Sequence, residues 1–215
     1  MKNTLIVFLR YPEIGKVKTR LIPSFGEVST TRLYRLMVER IVSNLDSTNY
    51  SILLFASSAN DTQKVNTWFK KKFEVLPQVE GDLGKRLENA FKTAFLKGAK
   101  KVIAIGTDCI DLDNIKVERA FTELDSDAAT IGPTFDGGYY LIGLNSAQSA
   151  PFKDIPWSTE ETYSKTCEAF EHNCIKYSVL EKLLDIDSGE DFHRLSEVVK
   201  NEFSSCFGEN IRVWD

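Results

Sequence analysis

Lys16, Lys18 and Arg20 alternate along the segment Arg10-Tyr-Pro-Glu-Ile-Gly-Lys-Val-Lys-Thr-Arg20. In an extended loop alternate side chains point the same way. Three cations would then share one side, an arrangement suited to a di- or triphosphate. The segment is not a Walker A loop, because Lys16 is followed by Val17 and position 10 is Arg rather than Gly. A solvated basic loop is the plain alternative. Negative charge follows later in the chain. Gly106-Thr-Asp108 closes an apolar run and would place one carboxylate at a strand end. Magnesium prefers one or two carboxylates completed by phosphate oxygens and water, so Asp108 is the expected metal ligand. The segment Leu184-Asp185-Ile-Asp187 offers a second, with Asp185 and Asp187 on one face if it is extended. Asp187 is the expected partner of Asp108. Ser188, Glu190 and Asp191 read instead as a helix start, and Asp111 or Asp113 as the cap of an earlier helix.

Three further segments offer roles with a structural alternative beside each. In Phe135-Asp136-Gly-Gly-Tyr-Tyr140, Gly137 and Gly138 permit close approach to an acceptor or simply form a hairpin turn. Asp136 there would bind an acceptor hydroxyl or act as a base. Glu80-Gly-Asp-Leu-Gly84-Lys-Arg86 opens a helix whose free N–H groups would meet a nucleotide, with Asp82 as a plain N-cap the competing reading. Trp157, in Ile155-Pro-Trp-Ser-Thr159, would line a sugar or base pocket or anchor the core. Ser158 or Thr159 would cap the next helix.

The elements that must position these residues alternate. Strand candidates are 5–9, 52–56, 102–105, 128–131 and 140–144, with weaker ones at 75–76 and 177–180. Most are continuously apolar, as strands covered on both faces are. Helical periodicity marks 29–45, 61–71, 83–97, 114–124, 159–172 and 189–203. This alternation predicts one α/β domain over residues 1–215, a three-layer α/β/α sandwich around a mostly parallel sheet. Ligands in such sheets gather at the carboxyl ends of the strands.

Composition sets the outer limits. The chain has 215 residues, 42% hydrophobic and 27% charged, an ordinary globular balance. A net charge of −4 gives no support to nucleic-acid binding. Residues 1–36 carry seven basic side chains against two acidic ones, so the remainder carries −9. No apolar run approaches the roughly 18 residues of a membrane span, and the apolar start is too short for a secretory signal, so a cytoplasmic protein is expected. Cys109, Cys167, Cys174 and Cys206 form no C-x-x-C pair and read as reduced thiols. His172 and His193 support no Ser-His-Asp arrangement.

Taken in order, 8–21, Gly81-Asp-Leu-Gly84, Gly106-Thr-Asp-Cys109, 132–143, Ile155-Pro-Trp-Ser-Thr159 and Asp185-Ile-Asp187 resemble a known family. It is the small bacterial GT-A-fold transferases called radical-SAM/selenodomain-associated transferase 1, also known as arsenosugar-biosynthesis glycosyltransferases. The resemblance spans roughly residues 5–192 and implies a nucleotide-diphospho-sugar transferase fold. Carried over by position, it implies a phosphate-binding loop at Lys16, Lys18 and Arg20, with Gly84 near the nucleotide. It implies Mg²⁺ or Mn²⁺ on Asp108 and Asp187. Two departures stand out: Ile110 replaces a proline, and Ser188-Gly189 replaces Thr-Pro.

The expected function is therefore transfer from a nucleotide-activated donor to a small-molecule acceptor, with Lys16, Lys18 and Arg20 stabilising developing charge. The resemblance favours glycosyl transfer from a nucleotide sugar. Nucleotidyl transfer from a nucleoside triphosphate to a phosphorylated small molecule uses the same arrangement, and a non-catalytic nucleotide-binding module is a third reading.

Overall fold

The computed structural model describes residues 2–45, 48–69 and 72–207. Seven strands form one sheet: β1 (Asn3–Leu9), β2 (Tyr50–Ala56), β3 (Glu74–Pro77), β4 (Val102–Ile105), β5 (Ala129–Pro133), β6 (Tyr139–Leu144) and β7 (Tyr177–Val179), in the order β3-β2-β1-β4-β6-β5-β7. All neighbours pair in parallel except at β6, which runs against both β4 and β5.

Strand alternation explains why the sheet is covered on both faces. Leu5, Val7, Leu9, Ile103 and Ile105 pack under α1 (Ile22–Asn44), α2 (Ala59–Trp68) and α4 (Asn114–Glu123). Ile6, Val102 and Ala104 face the opposite way, against α3 (Leu83–Leu96) and α5 (Thr162–His172). Each fully buried Ile or Leu adds about 1.5–3 kcal/mol. The apolar runs are continuous because neither face meets water. The expected three-layer sandwich is the observed one.

Several boundaries differ from the expectation, each for a local reason. The first helix begins at Ile22 rather than Ser29, because Pro23 suits a first turn and Gly26 (φ 75°, ψ 161°) absorbs a kink that periodicity alone reads as a break. The helix expected over 61–71 is α2, and residues 70 and 71 lie outside the described residues. The helix expected over 189–203 is two: α6 (Gly189–His193) and α7 (Glu197–Glu202). Ser196 caps the second by accepting from the Val199 amide, and a cap inside an apolar period ends one helix and starts another. The fifth helix starts at Thr162, and neither Ser158 nor Thr159 is its cap residue.

A third apolar cluster lies at one end. Leu21, Phe25, Leu33 and Met37 of the α1 region enclose Ile110, Ile186, Phe192 and Leu195. It clamps 184–195 against α1 and against the loop after β4. Ser188 and Asp191 form a reciprocal capping box at the start of α6. Among the described residues no helix is long and apolar enough to cross a membrane.

Candidate active site

The carboxyl ends of β1, β2, β3 and β4 reach one edge of the sheet, and the antiparallel β6 begins there. The residues just past those four ends are Arg10, Ser57, Gln78 and Gly106–Asp108. Together with Tyr139 and Tyr140 of β6 they line a cavity of about 520 Å³. Its apolar lining comes from Phe8, Leu9, Ala104, Ile105 and Ile142, and Leu83, Arg86 and Leu87 close it from the first turns of α3.

Lys16, Lys18 and Arg20 all reach this cleft, as does Asp187. They do not share one face of an extended loop. Gly15 (φ 74°) and Lys18 (φ 45°) are both left-handed, and residues 19–21 form a 3-10 turn. Lys16 therefore swings outward to Glu13 (2.6 Å) with its side chain 74% exposed. Lys18 turns inward and is 7% exposed. Its Nζ lies 2.7 Å from Asp108 Oδ1 and 2.5 Å from Asp187 Oδ1. Arg20 Nη1 stands 3.4 Å from Asp187 Oδ2. Burial alone would lower the Lys18 pKa, but the Asp108 and Asp187 carboxylates outweigh it and hold the ammonium above its ordinary value. At the neighbouring strand end the Tyr34 hydroxyl accepts from the Arg10 amide (2.9 Å) and donates to the Arg10 carbonyl (3.3 Å), fixing the start of the basic loop.

The other expected site residues have local tasks. Asp82 does not line the cleft; its carboxylate accepts from the Lys85 amide (2.8 Å) as the N-cap of α3. Gly84 is buried, and a Cβ there would stand 2.4 Å from the Phe152 carbonyl oxygen and 2.7 Å from Trp157 Nε1. It lets α3 seat on the 150–157 loop. Trp157 packs on Gly84 and edge-on to Tyr139, with ring centroids 6.3 Å apart. It supports the cleft wall from behind. Asp136 Oδ1 accepts from the Thr134 hydroxyl (2.5 Å) and the Gly138 amide (2.9 Å), which closes its own turn. Gly137 (φ 89°) lies against the Glu160 backbone, where a Cβ would sit 2.1 Å from the carbonyl oxygen. These five residues and Gly138 build the walls and the hairpin, and none is among the cleft-lining residues.

Asp185, next to the expected ligand pair, is half-buried. Burial first, then the Asp136 carboxylate, pushes its pKa up to about 6. Cys109 follows Asp108, and burial raises its thiol pKa well above the ordinary value, so it stays protonated. Asp113 caps α4 by accepting from the Lys116 amide (2.9 Å).

Arg86 and Gln78 are cleft residues that sequence reasoning passed over. Arg86 Nε is buried without a hydrogen-bond partner among the described residues. The signal for it was helical spacing: Leu83, Arg86 and Leu87 fall at i, i+3 and i+4 and so share a face.

The profile of a bacterial family described as "Uncharacterized protein conserved in bacteria (DUF2064)" matches residues 41–159, more than half of the chain. The chain belongs to the DUF2064 family. A crystal structure from Desulfovibrio desulfuricans G20, provisionally assigned as a nucleotide-diphospho-sugar transferase, is 31% identical, with 94% of this chain and 89% of that one covered at a TM-score of 0.88. Two more distant structures share the fold alone. The inositol-1-phosphate CTP transferase from T. maritima is 13% identical (95% and 96% covered, TM-score 0.58). Rv0371c from Mycobacterium tuberculosis H37Rv, solved in complex with manganese, is also 13% identical (91% and 98% covered, TM-score 0.54). No curated protein matches this DUF2064 chain.

Proposed function

We propose that this protein is a divalent-metal-dependent transferase that takes a nucleotide-diphospho-sugar as donor and passes the sugar to a small-molecule acceptor. One observation carries the reading: Asp108 and Asp187, from distant parts of the chain, meet on one cation inside the strand-end cleft. The Lys18 ammonium stands where two hard oxygens converge, so the pair already accommodates a positive charge. Two carboxylates and room for phosphate oxygens are the donor set that Mg²⁺ or Mn²⁺ takes. Among the described residues no three acidic, histidine or cysteine side chains converge as a metal site. The remaining ligands would therefore come from the donor phosphates and water. The 31%-identical D. desulfuricans protein and the resemblance to radical-SAM/selenodomain-associated transferases support the glycosyl version.

The chain's own residues divide the work. Asp108 and Asp187 would hold the metal, which when bound neutralises the leaving diphosphate. Lys16 and Arg20 sit at the cleft with highly exposed side chains in surface ion pairs with Glu13 and Asp187, which a phosphate would compete for. Arg86 brings a buried, unpaired donor to the α3 side. Phe8, Leu9, Ala104, Ile105 and Ile142 give the cleft an apolar floor beneath these charges.

The test is a thermal-shift screen of nucleotide sugars and nucleoside triphosphates with and without Mn²⁺, followed by turnover with the stabilising donor. A ligand at a hundredfold excess over its Kd raises apparent stability by about 2.7 kcal/mol. The Asp108→Ala variant should keep its fold and lose metal-dependent turnover; wild-type turnover in that variant overturns the assignment. Release of a nucleoside diphosphate supports glycosyl transfer, and release of pyrophosphate replaces it with nucleotidyl transfer. Tight nucleotide binding indifferent to EDTA, with no turnover, replaces both with a binding module.

A further inference from the structure

Lys18 is the most enclosed charge in the cleft and its position is over-determined. Its backbone sits at φ 45°, ψ 45°, a left-handed conformation that is unfavourable for a residue with a Cβ. The Leu21 amide caps its carbonyl at 2.8 Å, which locks that conformation. The side chain then reaches the Oδ1 atoms of both Asp108 and Asp187. Two carboxylates sharing one site repel each other unless a cation lies between them.

We propose that Lys18 is a resident counter-cation, a positioning residue that holds Asp108 and Asp187 together before substrate arrives and is then exchanged for the divalent ion. The argument is one of shared atoms. The oxygens that a metal would take are those already 2.7 and 2.5 Å from the ammonium. A dication and an ammonium cannot both sit at bonding distance between them. Metal binding therefore displaces Lys18, and the displaced charge needs a new anion. The phosphates of the donor, in the same cleft, are that anion. Metal and donor then bind with positive coupling, each removing part of the other's cost. This inference rests on the metal-dependent reading above and adds the order it imposes: the pair is ill-disposed to bind metal alone and well-disposed to bind it with a diphosphate.

Isothermal titration of the full chain with Mn²⁺ alone, and then with inorganic pyrophosphate present, tests this without knowledge of the donor. Without pyrophosphate, Lys18→Met should bind Mn²⁺ roughly tenfold more tightly than wild type, within the usual range of site–site coupling. Lys18→Arg keeps the competing charge and should bind as weakly as wild type. Lys18→Gln is the substitute if circular dichroism shows the Met variant unfolded, with the same gain expected. Mn²⁺ affinity unchanged or weakened in the folded neutral variant overturns the proposal. Asp108→Asn separates the two levels. If it leaves Mn²⁺ binding intact, the metal-dependent reading and this inference fall together. If it abolishes binding while the neutral Lys18 variant shows no gain, only the counter-cation falls.

Discussion

The Ile186 amide donates to the Asp108 carbonyl at 3.0 Å. This bond ties the loop after β4 to the late acidic segment through the backbone, one residue before Asp187. The two carboxylates are thus spaced by main-chain structure, and their side chains only complete the arrangement. Ile186 is fully buried against Ile110, Leu21 and Phe192, so packing holds the tie in place. Ile110 fills part of this cluster with its own side chain.

Ile186→Ala should cost about 2–5 kcal/mol by leaving a cavity in that cluster. It should also lower metal-dependent turnover, because Asp187 loses its fixed distance from Asp108. Urea unfolding gives the first effect, and turnover at a temperature where the variant is fully folded gives the second. Unchanged turnover there would mean that the side chains find each other without the tether.

Gly84→Ala should destabilise the fold by about 1–3 kcal/mol, the usual cost of an extra methyl in a filled site. The added carbon would meet the Phe152 carbonyl and the Trp157 ring. Donor affinity measured on the folded fraction should hardly change. A large loss of affinity with normal stability would return Gly84 to the nucleotide.

Arg86→Met should weaken donor binding roughly tenfold or more, since a hydrogen bond to a charged group is worth about 1.5–3 kcal/mol. Stability should stay level or rise slightly, because the substitution removes a buried donor that has no partner among the described residues. Calorimetric binding and chemical denaturation on the same samples read both effects. A drop in stability without a drop in affinity would make Arg86 a packing residue.

Hydrogen bonds from Lys16 and then Lys64, with the charges of both, hold the Glu13 carboxyl at about 2, below its ordinary value of 4.5. A carboxyl whose pKa is lower in the folded chain favours folding above its unfolded pKa, and that contribution disappears as pH falls through its folded value. The stability gap between wild type and Glu13→Gln should be present at neutral pH and close between about 4.5 and 2. Glu13 is on the surface, so the gap is small and salt should shrink it. Thermal unfolding across that pH range, at two ionic strengths, checks both trends.

The layers of the fold were legible because covered strands are continuously apolar and helices carry a 3.6-residue rhythm; β4 and α3 came out close to their observed limits. The place of Asp108 at the cleft was also legible, since strand-end residues of a parallel sheet converge, whereas Asp187 lies beyond β7 and is brought in by the Ile186 backbone bond to Asp108. What sequence could not show was direction within a loop. Alternation put Lys16, Lys18 and Arg20 on one side, but left-handed backbone at Gly15 and Lys18 sends the first outward and the second inward. Glycines deceived for a related reason. Gly137 offers close approach to a ligand on sequence grounds, yet the space it gives is filled by the Glu160 backbone, and Gly84, expected near a nucleotide, lies against the Phe152 carbonyl and the Trp157 ring. Local spacing does not distinguish a foreign neighbour from a native one.

Lys18 and Asp187 are separated by 169 positions, and among the described residues every strand of the sheet lies before Asp187. During synthesis the whole sheet can therefore leave the ribosome while the cleft still lacks its second acid. A product cut short after β7 would retain the seven described strands but lack both Asp187 and the Ile186 tie to the loop after β4. The acidic pair of the cleft is therefore completed only by chain that follows the sheet.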